Sequence, residues 1–116
     1  APNLFGDIIT DIGAIISGSM GLASSANINP DTSVPSMFEP THGSAPDIAG
    51  QGIANPMAQI LTAAMMLRHL GENAAAADVD TAVLQLLEQG EIVTPDLGGN
   101  STTQRVGDAI AELVSK

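Results

Sequence analysis

Between Asn55-Pro56 and Gly71 the chain has little polar face: Met57, Ala58, Ile60, Leu61, Ala63, Ala64, Met65, Met66 and Leu67 crowd into one short stretch. Asn55 reads as the N-cap of a helix and Pro56 as its first residue, because proline lacks only an N–H that has no intrahelical partner there. The helix runs to Leu70 and stops at Gly71. A helix that is apolar on most sides needs neighbours on most sides. This segment is therefore expected in the middle of whatever the chain builds.

Its surroundings are read from the same periodicity. Residues 3–17 place Phe5, Ile8, Ile9, Ile12, Ile15 and Ile16 at helical steps, with Asn3 as N-cap, and Gly18 and Gly21 end that helix. An irregular stretch rich in Ser, Asn and Pro follows, with short strand pieces such as residues 36–40. A helix over 73–89, closed by Gly90, carries Val79, Val83, Leu86 and Leu87 on one stripe and Glu72, Asp78, Asp80 and Glu88 elsewhere, which suits a surface. A last helix from residue 101 puts Val106, Ile110, Leu113 and Val114 on one face, with Asn100 or Ser101 as its N-cap. The five methionines read as core filling, and His69 as a partner of polar groups near its helix's C-terminus. The result is an α/β chain that is helix-rich in the part present.

The 116 residues fit a single domain, so the chain is either a small protein or a piece of a larger one. Ala1 where an initiator Met would stand is read as a sign that something was removed upstream. A hydrophobic fraction of 44% against 14% charged residues excludes a disordered tail. A net charge of −10, two Phe, no Tyr and no Trp make nucleic acid a poor partner, since phosphate neutralisation and base stacking both lack their residues. The apolar runs are too short and too polar to span a bilayer. No cysteine is present, which excludes disulfides and thiolate metal sites. A cytoplasmic location is the expectation.

Two constellations carry chemistry. Asp7 and Asp11 lie four apart, on one helical face. Like charges at that spacing repel unless a divalent cation joins them, and two carboxylates completed by water or substrate oxygens suit Mg²⁺ or Mn²⁺; a solvated acidic face is the alternative. The second is Glu39, His42, Gly43, Ser44, Ala45, Pro46, Asp47 and, eight residues on, Asn55. Gly43 permits close backbone approach, Ser44 and nearby amides can donate to phosphate oxygens, and Asp47 can accept from both hydroxyls of a ribose. An ordinary Gly/Pro turn fits the same residues. The usual nucleotide fingerprints are absent. Residues 94–99, TPDLGG, read as a plain turn leading into the last helix.

The strings NLFGDIITDIGAIISGSMGLASSANINP, FEPTHGSAPDIAGQGIANP and TPDLGGNSTT resemble the C-terminal part of the β-decarboxylating dehydrogenases, the isocitrate/isopropylmalate dehydrogenase family. SANINP with PSMFEP is most similar to the tartrate/D-malate branch, with the isopropylmalate branch close behind. The resemblance implies a two-domain α/β fold in which residues 1–18 end the smaller, dimer-forming domain with a metal-binding helix, and residues 19–116 form the return segment of the NAD-binding domain. It implies that Asp7 and Asp11 bind Mg²⁺ or Mn²⁺, that Glu39 lies near the nicotinamide, and that residues 42–45, with Pro46 in the same loop, run along the adenosine and pyrophosphate. Asp47 then grips the ribose and Asn55 contacts adenine.

The implied reaction is NAD-dependent oxidation, with decarboxylation in most relatives, of a small 2-hydroxy acid by a homodimer. NADP-using relatives place a Lys and a Tyr where Asp47 and Ile48 stand here. The family's catalytic Lys and Tyr and its substrate-binding Arg residues have no counterpart, since the sole Lys is Lys116 and no Tyr occurs, so no catalytic residue is assigned. The chain alone is expected to be inactive. A non-catalytic nucleotide-binding or oligomerisation module is the alternative.

Overall fold

The computed structural model describes residues 19–116. The helix expected over 3–17, with Asp7 and Asp11, and the domain assigned to residues 1–18 lie outside the described residues. The elements in order are β1 (Ser24–Asn27), β2 (Met37–Pro40), α1 (Met57–His69), α2 (Asn73–Gln89) and α3 (Thr103–Val114), with 3₁₀ turns at Met20–Leu22, Pro46–Ile48 and Pro95–Leu97.

β1 and β2 pair antiparallel in the register Ser24 with Pro40, Ser25 with Glu39, Ala26 with Phe38 and Asn27 with Met37. The loop between them is closed by Asn29, whose N–H donates to Ser36 Oγ at 3.0 Å and whose Oδ1 accepts from Asp31 N at 3.1 Å. A lone two-stranded hairpin is marginal in water. This one is backed by α1, which packs on both strands and on α2. Phe38 packs against His69, the last residue of α1, with ring centroids 5.4 Å apart.

The core lies between the helices and the loop that precedes α3: Met57, Ala82, Val83, Leu86, Val93, Val106, Ala109 and Ile110 form one buried cluster. α3 buries Val106, Ala109 and Ile110, one face at steps of three and four. α2 buries Ala76, Ala82, Val83 and Leu86 and turns its acidic residues outward, as a surface helix should. Asp80 on that helix pairs with Arg68 at the end of α1. Gly71 (φ +90°) and Gly90 (φ +68°) supply the left-handed turns that end α1 and α2.

Several expectations change. The cap of α3 is Thr102, whose hydroxyl accepts from Arg105 N at 3.2 Å, and not Asn100 or Ser101; Ser101 N donates back to Val93 O at 3.0 Å. Of the described methionines only Met57 is in the core; Met37 and Met66 are exposed. α1 is buried on the side facing the hairpin and α2, through Met57, Ala58, Thr62 and Ala64, but not all round. Ile28, Val34, Met37, Met66 and Leu70 stay exposed around the hairpin and the end of α1, a concentration of apolar surface that favours association. The purified chain is accordingly expected to self-associate in light scattering, and a clean monomer is the contrary outcome. Among the described residues no helix is long and apolar enough to cross a membrane.

Candidate functional site

The loop from Thr41 to Asn55 leaves the hairpin with one further pairing, Thr41 N to Ala23 O at 3.0 Å, and then turns sharply. Ala45 is held at φ +43°, ψ +60°, the left-handed region that a residue with a Cβ adopts at a cost. Pro46 adds to that cost by disfavouring helical backbone before it. Three backbone bonds hold the turn in place: Ile48 N donates to Ala45 O at 3.1 Å, Ala49 N to Pro46 O at 3.3 Å and Gln51 N to Ile48 O at 3.1 Å. The Gln51 side chain donates to Asp47 O at 2.9 Å. Thr103, at the start of α3, ties the loop down through its N–H to Gly52 O (2.8 Å) and its hydroxyl to Ala54 O (2.6 Å).

This bracing shapes a cleft of about 400 Å³, lined on the loop side by His42, Gly43, Ser44, Ala45, Ile48, Ile53, Ala54 and Asn55. Ser19, Met20, Gly21 and Asp96 line its other side. The N–H groups of Gly43, Ser44 and Ala45 and the Ser44 hydroxyl have no partner among the described residues, so they are available to an anion. His42 Nδ1–H donates to Gly43 O at 2.9 Å, which leaves Nε2 as an acceptor when the ring is neutral. The chemistry of this donor set, hydroxyl and consecutive amides beside apolar Ile48 and Ile53, fits a nucleotide with its phosphates.

Of the residues singled out in the sequence, His42, Gly43, Ser44, Ala45 and Asn55 meet in this cleft. Pro46 and the exposed Asp47 sit in the adjoining 3₁₀ turn, whose end, Ile48, lines it. Glu39 stands on β2 opposite Ser25, exposed and apart from the lining. Among the described residues no group of three His, Asp or Glu side chains could hold a metal.

Asp96 is the member that sequence reasoning missed. Its Oδ2 accepts from Ser19 Oγ (2.7 Å) and Asn55 Nδ2 (3.0 Å), and its Oδ1 from Thr94 Oγ1 (2.5 Å). Partial burial pushes this carboxyl up, but the bonds from Thr94, Asn55, Ser19 and its own backbone outweigh it and hold the group below the ordinary value. A lowered folded value means the carboxylate's contribution to stability is complete above the unfolded value of about 3.9 and is lost as pH falls through the folded one. Asp96→Asn is thus expected to lose less stability than the parent chain between about pH 5 and about pH 3. Denaturation midpoints at the two pH values check this, and equal acid sensitivity of both proteins contradicts it.

Comparisons with known proteins give the family. The family model described as isocitrate/isopropylmalate dehydrogenase matches residues 1–110. The chain belongs to that family. It is 55% identical over its whole length to the probable tartrate dehydrogenase/decarboxylase of Bacillus subtilis (strain 168), covering 32% of that protein. It is 54% identical over 98% of its length to the 3-isopropylmalate dehydrogenase of Thermobifida fusca (strain YX), covering 31% of it. The crystal structure of isocitrate dehydrogenase from Methylococcus capsulatus superposes with a TM-score of 0.90 at 48% identity, over 98% of this chain and 33% of that one. The chain therefore matches part of the isocitrate/isopropylmalate dehydrogenase-like fold, and it spans about a third of the length of the curated relatives it matches.

Proposed function

We propose that this chain is the part of an NAD-dependent, Mg²⁺- or Mn²⁺-dependent 2-hydroxy-acid dehydrogenase that holds the adenosine half of the cofactor. The substrate would be of the tartrate/D-malate or 3-isopropylmalate type, and the enzyme a cytoplasmic homodimer. The observation that carries the reading is the cleft itself: the amides at 43–45, unpartnered among the described residues, the Ser44 hydroxyl and the Asn55 amide line one volume, within a chain of this family.

In this reading the amides of residues 43–45 and Ser44 donate to the pyrophosphate, Asp47 accepts from the ribose hydroxyls, and Asn55 pairs with adenine. Glu39 stands toward the nicotinamide end, and Asp7 and Asp11 offer their carboxylates to the cation. When bound, NAD supplies the hydride acceptor and the cation supplies Lewis acidity toward the substrate oxygen. Proton transfer and substrate carboxylate binding need a base, an acid and cationic groups; the only cationic side chains here are Arg68, Arg105 and Lys116, none of which lines the cleft.

The test has two arms. A polypeptide uniting this chain with the remaining two thirds of a family member is expected to reduce NAD with tartrate, D-malate or 3-isopropylmalate only when Mg²⁺ or Mn²⁺ is added. The 116-residue chain by itself is expected to bind nucleotide without turnover. Metal-dependent NADH formation by the chain alone would refute the division of labour, and nucleotide binding without turnover in both proteins would make it a non-catalytic module.

A further inference from the structure

We infer that Asp96 determines base specificity as a positioning residue: by locking the Asn55 amide in one orientation, it makes the cleft select adenine over a base carrying a 6-keto group. This deepens the proposal above, since it rests on Asn55 meeting the base of a nucleotide.

A side-chain amide is nearly symmetric in shape and opposite in hydrogen-bonding sense at its two ends. A free one turns over about its last torsion, and so pairs as readily with adenine, which offers a 6-amino donor beside a ring-nitrogen acceptor, as with hypoxanthine, which offers a 6-keto acceptor beside an N1–H donor. Asn55 is not free. Its Oδ1 accepts from Met57 N at 3.0 Å, and its Nδ2 donates to Asp96 Oδ2 at 3.0 Å. Turned over, the amide would set an oxygen against the carboxylate and an NH₂ against the Met57 N–H. Both bonds would be replaced by repulsive pairings.

The lock is itself held. Met57 opens α1 and is fully buried, which fixes the N–H offered to Oδ1. Ser19 and Thr94 donate to the two oxygens of Asp96, so the carboxylate has little freedom to rotate away. The turn at residues 19–22 presses on the pair from the side: a Cβ on Gly21 would fall 2.8 Å from Asp96 Oδ2 and 2.9 Å from Asn55 Cβ. After these bonds the Asn55 amide keeps one N–H and one acceptor position, at a place where it lines the cleft. A donor and an acceptor in fixed order read a base edge, whereas the same pair in free order does not.

The experiment measures dissociation constants of AMP and IMP by calorimetry with the full chain and its variants, and follows the Asn55 side-chain amide resonances by NMR. Wild type is expected to bind AMP roughly tenfold more tightly than IMP or better. In Asp96→Ala the two constants should converge to within about twofold. Asp96→Asn, which can keep an oxygen toward Asn55 while the Thr94 hydroxyl reverses its role, should retain the preference. In an Asn55→Ala background Asp96→Ala should leave the ratio unchanged.

If circular dichroism shows Asp96→Ala to be unfolded, Asp96→Ser, too short to reach Asn55, is measured in its place. A purely structural Asp96 would weaken both nucleotides alike and leave the ratio intact, which overturns the inference. AMP binding in wild type without preference over IMP also overturns it, and leaves the nucleotide reading standing. Binding of neither nucleotide to wild type sinks both.

Discussion

Gly99→Ala is expected to destabilise the chain by about 3 kcal/mol or more, as an overpacked site whose neighbours cannot yield. A Cβ at Gly99 would fall 2.1 Å from Val93 O, 2.7 Å from Val93 Cγ2 and 2.8 Å from Val93 C. Backbone cannot give way as the end of a flexible side chain can. Val93 is part of the core cluster, its carbonyl accepts Ser101 N at 3.0 Å, and Gly99 N donates to Thr94 O at 3.1 Å. Making room would break these bonds or push Val93 into the core cluster. The neighbouring Gly98 provides the control. It has φ +83° but nothing within 4 Å of a built Cβ, so Gly98→Ala should cost only the strain of a left-handed residue, roughly 1 kcal/mol. Urea denaturation of the two variants distinguishes crowding from backbone conformation, and equal losses would refute the account. Because Thr94 and Asp96 lie in the same turn, Gly99→Ala should also weaken AMP binding.

Much of the fold was legible because its rules are local. The helix over 73–89 follows from its apolar stripe and the glycine after it, and strand β2 from the apolar pair ahead of Pro40. Met57 gains its cap from Asn55 Oδ1, although the helix opens one residue later than Asn55-Pro56 suggests. The hydroxyls at 101, 102 and 103 cannot be ranked as caps from spacing, since the choice of Thr102 depends on Thr103 being tied to Gly52 and Ala54 across the fold. The same distinction divides the site. Residues 42–45 announce themselves by a glycine and a proline in one short loop. Asp96 does not: it reaches Asn55 across 41 residues and Ser19 across 77, and locally TPDLGG has everything an ordinary turn needs. Gly21 likewise reads locally as a helix stop, and its close approach to Asp96 and Asn55 is visible only in three dimensions.

NAD is expected to bind this site far more tightly than NADP, with the difference resting on Asp47. The carboxylate is exposed on the 3₁₀ turn beside the cleft, where it can accept from ribose hydroxyls but meets a 2′-phosphate as one anion meets another. Two unit charges about 4 Å apart repel by about 1 kcal/mol in water and about 4 kcal/mol in the partly screened environment of a protein surface. That corresponds to a preference between about fivefold and about a thousandfold. No compensating cation stands near: Arg68 is engaged with Asp80, and Arg105 and Lys116 lie on and just beyond α3, around a separate surface hollow. Two changes separate repulsion from loss of the ribose contact. Asp47→Asn removes the charge and keeps acceptor capacity, so NADP binding should rise while NAD binding falls by less. Asp47→Lys, with Ile48→Tyr, should go further and invert the preference, since an ammonium attracts the phosphate that the carboxylate repelled. Titrations at two ionic strengths complete the test. Salt screens an exposed charge pair over about 8 Å at physiological strength, so the wild-type preference should narrow as salt is raised. A preference for NADP in wild type, or one indifferent to both substitutions, would remove Asp47 from the site.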